Sequence, residues 1–178
     1  MPDYRISHGG RKDIPALVSL INSAYRGEEA KQGWTHEADL IEGSIRTDDA
    51  ALAQIMDSKD GVILLCSDEQ SNIVGCVYLE NQFPKLYLGM LSVRPAIQGG
   101  GIGKKLLQAA AEHASALSCE SIIMNVIPAR LELIAWYERN GYVNTGEHKP
   151  FPTGTAFGTP RMPLDFVVLE KRLAPPSL

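Results

Sequence analysis

The chain has 178 residues, 44% of them hydrophobic and 21% charged, with a formal net charge of −4 at pH 7. That length and apolar fraction suit one domain spanning 1–178, with its core at about 4–173 and a short tail at 174–178. The acidic balance excludes an electrostatic case for nucleic acid or an anionic membrane as main partner. Cys66, Cys76 and Cys119 are odd in number, far apart and without a C-x-x-C pair. They suggest buried thiols rather than a disulfide framework or a zinc site, so no metal is expected. The N-terminal residues carry no apolar leader and no run approaches membrane-spanning length, which makes a reducing cytoplasm the expected setting.

Taken in order, residues 4–7 read as a strand and His8-Gly-Gly10 as a turn. Asp13 reads as the cap of a helix with Pro15 in its first turn, and Ile14, Leu17, Val18, Ile21 and Ala24 form one apolar stripe. A loop over 27–35 leads to a second helix capped by Thr35, with Asp39 near the capping-box position. A third, short helix over 48–57 turns Leu52, Ile55 and Met56 inward. Strands are expected at 61–66, 73–80 and 87–93, joined by short connections as an antiparallel meander. Residues 104–117 repeat Leu106, Leu107, Ala110, Ala114 and Leu117 on one helical face. The strand over 121–127 should lie parallel to 87–93, as a strand–helix–strand crossover requires. Pro128 reads as the opening of a helix to about Arg139, ended by Gly141. A strand begins at Tyr142, and the segment 149–163 has four prolines, two glycines and no periodicity. A loop of that length is often functional. Residues 164–171 read as the strand that closes the sheet.

The informative stretch is Leu91-Ser-Val-Arg-Pro-Ala-Ile-Gln-Gly-Gly-Gly-Ile-Gly-Lys-Lys-Leu-Leu107. It reads as strand, glycine turn and helix. A helix opening from such a turn points bare N–H groups and its positive dipole end at one spot, which suits a phosphate. Spacing separates the glycine-loop types. The P-loop fails because Gln98 stands where its first glycine belongs and Lys105 replaces the Ser/Thr that would hold magnesium. The dinucleotide pattern G-x-G-x-x-G fails because its last position falls on Lys104 or Leu106. A nucleotide-binding domain of another type therefore conflicts with the spacing. The pattern that fits is Q-x-x-G-x-G, Gln98-Gly-Gly-Gly101-Ile-Gly103, after a strand ending Val93-Arg-Pro95.

This stretch resembles the acyl-CoA pyrophosphate loop of the GCN5-related N-acetyltransferases. A second motif, Tyr137-Glu-Arg-Asn-Gly141-Tyr142, is similar to that family's Y-x-x-x-G-[FY] pattern, and the element order matches its fold. The resemblance implies an α/β (α+β) domain with a mixed, mostly antiparallel sheet flanked by helices. It implies transfer of an acetyl group from acetyl-CoA, as co-substrate, to a primary amine by direct attack in a ternary complex. A non-catalytic acyl-CoA-binding or sensor module of the same fold is the alternative, and a homodimer stays open.

The resemblance also implies site residues. Leu91, Ser92 and Val93 would meet pantetheine, the first and last through their main chain. Gln98, Gly99, Gly100, Gly101, Ile102, Gly103 and Lys104 would surround the pyrophosphate, with Lys104 and Lys105 offering charge. Tyr137 would sit by the thioester sulfur and protonate the leaving thiolate, a weak acid of pKa ~10 serving a thiolate of ~8.5. Where the family often has an asparagine seven residues before that tyrosine, this chain has Arg130, either a longer arm for the same cofactor contact or a surface residue. Asn125 is a separate candidate for bonding pantetheine. An amine of pKa ~10.4 needs on the order of 4–5 kcal/mol to lose its proton at pH 7. The position where some members carry a glutamate holds Tyr87, leaving Glu80 as the nearest candidate base. The acceptor pocket is expected between 25–34 and 149–163, with Glu28, Glu29, Trp34, Phe151 and Phe157 at its border.

Overall fold

The computed structural model describes residues 2–26, 41–42, 46–151, 159–161 and 164–175. The elements in chain order are β1 (Arg5–His8), α1 (Ile14–Tyr25), β2 (Ile41–Glu42), α2 (Asp49–Asp57), β3 (Gly61–Ser67), β4 (Ile73–Gln82) and β5 (Lys85–Val93). They continue with α3 (Ile102–Ala116), β6 (Ser121–Val126), α4 (Leu131–Arg139), β7 (Val143–Pro150), β8 (Thr159–Pro160) and β9 (Asp165–Arg172). Seven strands form one sheet in the order β1-β3-β4-β5-β6-β9-β7, and β2 pairs with β8. This is the expected mixed, mostly antiparallel sheet: among the described residues only β5 and β6 run parallel. The helix expected from Thr35 lies outside the described residues.

Helices cover both faces, so the middle strands bury alternate side chains on opposite sides. In β3, Ile63 and Leu65 pack with Leu17, Ile21 and Leu52 of α1 and α2, while Leu64 and Cys66 pack with Leu106 and Ala110 of α3. Gly75 on β4 lets α3 come close. A Cβ there would stand 2.9 Å from a methyl of Ile102 and 3.1 Å from Leu106.

Three helix boundaries differ from the sequence reading. Asp13 makes no side-chain cap of α1; its carboxylate instead accepts from the Gly10 amide at 2.8 Å, closing a single 3-10 turn before the helix. The glycine-loop helix starts at Ile102, two residues before Lys104. The fourth helix starts at Leu131, not Pro128, because Ile127–Arg130 closes as a turn with Pro128 at its second position and an Arg130 N–H to Ile127 C=O bond of 3.0 Å. At its other end, Gly141 takes φ +96°. The Tyr142 amide then donates to Tyr137 C=O and the Gly141 amide to Glu138 C=O, each at 3.1 Å. This is the double bond of a Schellman end, and it stacks Tyr142 edge-on against Tyr137 with ring centres 5.7 Å apart.

The last strand does not close the sheet. β9 inserts between β6 and β7, and β7 is the edge. The chemistry explains the swap: Val167, Val168 and Leu169 are buried in β9, whereas all eight residues of β7 are exposed and mostly polar, as an edge tolerates.

Two features open the sheet at its centre. β5 and β6 pair only from Lys85–Tyr87 to Ser121–Ile123, and each continues beyond that point without the other. Met90 and Leu91 oppose the single residue Val77 of β4, a β-bulge with Met90 at φ +49°. A bulge bends its strand and re-aims the groups after it.

Candidate active site

The glycine loop hangs from the end of β5. Its side-chain tether is Gln98, whose Nε2 donates to Val93 C=O at 3.0 Å. Gly99 and Gly101 have φ of +93° and +86°, the left-handed region that only glycine enters without strain, and a Cβ at either would meet no atom within 4 Å. Side chains there would project into open space, the space a ligand needs. Ile102 is 1% exposed and packs over Gly75, so its side chain anchors the loop in the core. Among the described residues, the amides of Gly99, Gly100, Gly101, Ile102, Gly103 and Lys104 donate to no protein carbonyl; the helix ladder begins with Lys105 N–H to Gly101 C=O at 3.0 Å. Lys105 turns away and donates its ammonium to Tyr4 C=O.

The loop borders a cavity of ≈ 200 Å³ whose wall includes Gln98, Gly99, Gly101, Gly103, Lys104 and Trp136. Gly103 is small because Trp136 lies over it: a Cβ would stand 3.2 Å from the indole. A second cavity of ≈ 190 Å³ fills the opening between β5 and β6, and its wall includes Tyr87, Gly89, Asn125, Phe151 and Phe166. Tyr25, Leu91, Leu133 and Tyr137 line both cavities. Tyr137 is 5% exposed. Burial first, then the neighbouring Tyr25 and to a lesser degree Tyr142, push its hydroxyl well above the ordinary tyrosine value, partly offset by Arg130. It stays protonated, a neutral donor at the junction of the two cavities.

The expected catalytic and cofactor residues all fall among the described residues. Ser92 lies opposite Cys76 in the β4–β5 ladder and its Oγ donates to Met90 C=O at 2.9 Å, so it braces the bulge. Leu91 and Val93 turn their main chain to the other side, toward the opening. There Tyr25 Oη donates to Leu91 C=O, as Gln98 does to Val93 C=O. Arg130 is the N-cap of α4, outside the helix that would have put it on Tyr137's face, and it borders the β5–β6 cavity rather than the glycine-loop cavity. Asn125 borders the same cavity. Glu80 lines neither: it sits opposite Tyr87 in the ladder, accepting from Tyr78 Oη and from Gln82 Nε2 at 3.1 Å. Burial raises Tyr87, Arg46 opposes that shift, and Glu80 adds to it. Glu28, Glu29, Trp34 and Phe157 lie outside the described residues.

Sequence reasoning missed Arg46 and Phe166, which also line the β5–β6 cavity, beside Arg26 of the expected 25–34 border. No motif marks them. Arg46 arrives there because Asn22 of α1 clasps its segment: Asn22 Oδ1 accepts from the Arg46 and Thr47 amides and Nδ2 donates to Thr47 C=O at 3.0 Å.

Comparison with known proteins agrees with this architecture. A sequence model described as "Acetyltransferase (GNAT) family" matches residues 17–142. The mycothiol acetyltransferase of Propionibacterium freudenreichii subsp. shermanii is 27% identical over 143 residues, which is 78% of this chain and 42% of that protein. The chain thus spans about two fifths of that relative's length. Among solved structures, the ribosomal-protein-S18-alanine N-acetyltransferase of Escherichia coli aligns with a TM-score of 0.71 at 13% identity, covering 98% of this chain and 97% of that one. The Salmonella typhimurium protein yncA, solved with its cofactor acetyl-CoA, aligns at 0.70 and 17%, covering 99% and 97%. The paia N-acetyltransferase of Thermoplasma acidophilum, in complex with coenzyme A, aligns at 0.68 and 16%, covering 96% and 99%.

Proposed function

The chain belongs to the GNAT acetyltransferase family, and from that premise we propose that it transfers an acetyl group from acetyl-CoA to a primary amine by direct attack in a ternary complex. The observation that carries this reading is the junction: unspent amides on one side, an open cleft on the other, and Tyr137 in the wall of both. The residues fit the cofactor. The main-chain amides of Gly99, Gly101, Gly103 and Lys104, with the Lys104 ammonium, answer a diphosphate, and the bare glycines at 99 and 101 leave it room. The outward main chain of Leu91 and Val93 has the direction a pantetheine amide needs.

Acetyl-CoA supplies an acetyl group already activated as a thioester. The chain contributes placement, which accounts for most of the rate in such a reaction, and a dry junction around Tyr137. The acceptor nitrogen bonds to the acetyl carbon and the carbon–sulfur bond breaks. Sulfur takes a proton from Tyr137 Oη, the acceptor nitrogen releases one to water, and Tyr137 is reprotonated from solvent. The products are an N-acetyl amine and free CoA thiol. Burial disfavours the phenolate and the thiolate alike, so the raised tyrosine is matched to its partner rather than disabled. A covalent enzyme intermediate has no support: Cys66, Cys76 and Cys119 are buried, none lines either cavity, and burial holds the Cys76 thiol at about 12.

The test is an amine panel with acetyl-CoA, reading free thiol against acetylated amine. Equimolar appearance of both supports transfer. Saturable acetyl-CoA binding with no thiol release above background, across amino acids, peptides, polyamines and aminoglycosides, supports the alternative of a binding module.

A further inference from the structure

The described lining of the β5–β6 cavity contrasts with the protein as a whole. The chain as a whole carries −4, yet the described residues lining the cavity include Arg26, Arg46 and Arg130 and no carboxylate. The guanidinium carbons of Arg46 and Arg130 lie 5.7 and 5.9 Å from the centre of the Tyr25 ring. Tyr25 is itself fixed, its hydroxyl bonded to Leu91 C=O at the bulge. Arg46 is a built position, its backbone held by Asn22 one turn before Tyr25 on α1. Its guanidinium forms no ion pair with a carboxylate among the described residues. None of the three arginines borders the glycine-loop cavity, so the diphosphate does not account for them.

We infer that the acceptor is a small amine bearing its own carboxylate or an equivalent anion near the nitrogen, an amino-acid-like zwitterion, and that Arg46, with Arg130, reads that anion. The inference rests on the acetyltransferase reading and narrows it. A planar guanidinium matches a carboxylate in a way that also orients it. Holding the anion against Tyr25 leaves the amine pointing toward Tyr137, which shares the cavity wall with Tyr25. A guanidinium beside the amine disfavours its ammonium form and favours the neutral amine that attacks, which lightens the need for a carboxylate base in the cleft. Polyamines and lysine-rich surfaces are disfavoured on the same ground.

The test compares amino acids, their carboxamides and the matching decarboxylated amines by kcat/KM, in the wild type, Arg46→Gln and Arg46→Lys, with acetyl-CoA affinity measured by calorimetry in each. The wild type should prefer an acid over its amide by about 10- to 100-fold, the worth of one charge-assisted hydrogen bond. R46Q should reduce that ratio to near unity with acetyl-CoA affinity unchanged, and R46K should restore part of it. Should R46Q fail to fold, the wild-type ratio decides alone. Should no amine in the panel turn over, N-acetylglycine and N-acetylglycinamide serve as product probes in thermal-shift titrations with CoA; the acid should stabilise more. Equal response to acid and amide, or preference for a polyamine, overturns this inference and leaves the acetyltransferase reading standing. Absence of acetyl-CoA binding removes both.

Discussion

Replacing Tyr137 by phenylalanine removes one oxygen and little else. The ring packs edge-on against Trp136 at 5.1 Å and Tyr142 at 5.7 Å, and both contacts survive. The Schellman end that sets the residue is main-chain and survives too. Loss of a buried hydroxyl should therefore change stability by no more than about 1 kcal/mol, or 2–4 °C in Tm for a chain of this size. The kinetic loss should be larger. A hydrogen bond to a developing thiolate is worth about 1.5–3 kcal/mol, and full general-acid transfer about 10²–10⁴ in rate. We expect kcat to fall at least about 10²-fold while the acetyl-CoA dissociation constant stays within about threefold, since the diphosphate contacts are untouched. The assay is steady-state thiol release, with calorimetry for the cofactor. A pH profile adds a second reading. Burial holds the Tyr137 hydroxyl well above its usual value, so the protonated form persists through alkaline pH and this residue imposes no loss of rate below about pH 10. A Y137F enzyme with wild-type kcat would remove the tyrosine from the chemistry and refute the reasoning built on its position.

Two further outcomes follow from the geometry. Gly101→Ala must place a side chain at φ +86° and aim it into the cradle; it should lose about 1 kcal/mol of stability and, by displacing a charge-assisted contact, bind acetyl-CoA at least about tenfold more weakly. For His113, burial and then the charge of His8, with ring centres 6.5 Å apart, lower the imidazole below its ordinary value. The unfolded chain then takes up that proton more readily than the folded one. Stability from this group is complete above about pH 6.5 and declines as pH falls through the lowered folded value. Thermal melts from pH 8 to 5 should show the decline, and His113→Gln should flatten it.

The parts of the site that could be read in the sequence are those whose geometry is local. Gly99 and Gly101 are legible because a left-handed backbone leaves glycine as the residue of choice, and the spacing to Gln98 is itself the loop. Tyr137 is legible because Gly141 closes the helix four residues later and fixes the ring's direction. What depends on contacts distant in the chain was not legible. Arg46 belongs to the cleft only because Asn22, 24 residues earlier, clasps its backbone. Glu80 is near the cleft in sequence logic, but the strand pleat turns it to Tyr78 and Gln82. The bulge puts its left-handed residue on Met90 rather than on the neighbouring Gly89, which no turn signal foretells, and the insertion of β9 beside β6 follows from burial, which chain order does not encode.

In the proposed mechanism, main-chain amides from Gly99 to Lys104 grip a diphosphate and thereby deliver a thioester to Tyr137. Amide-resolved NMR during titration with acetyl-CoA tests it most directly. Saturable one-to-one binding is expected, with the largest shifts at the amides of Gly99, Gly101, Gly103 and Lys104 and with the Tyr137 ring perturbed in step. Saturation that leaves those amides unmoved, or no binding at millimolar acetyl-CoA, would contradict it.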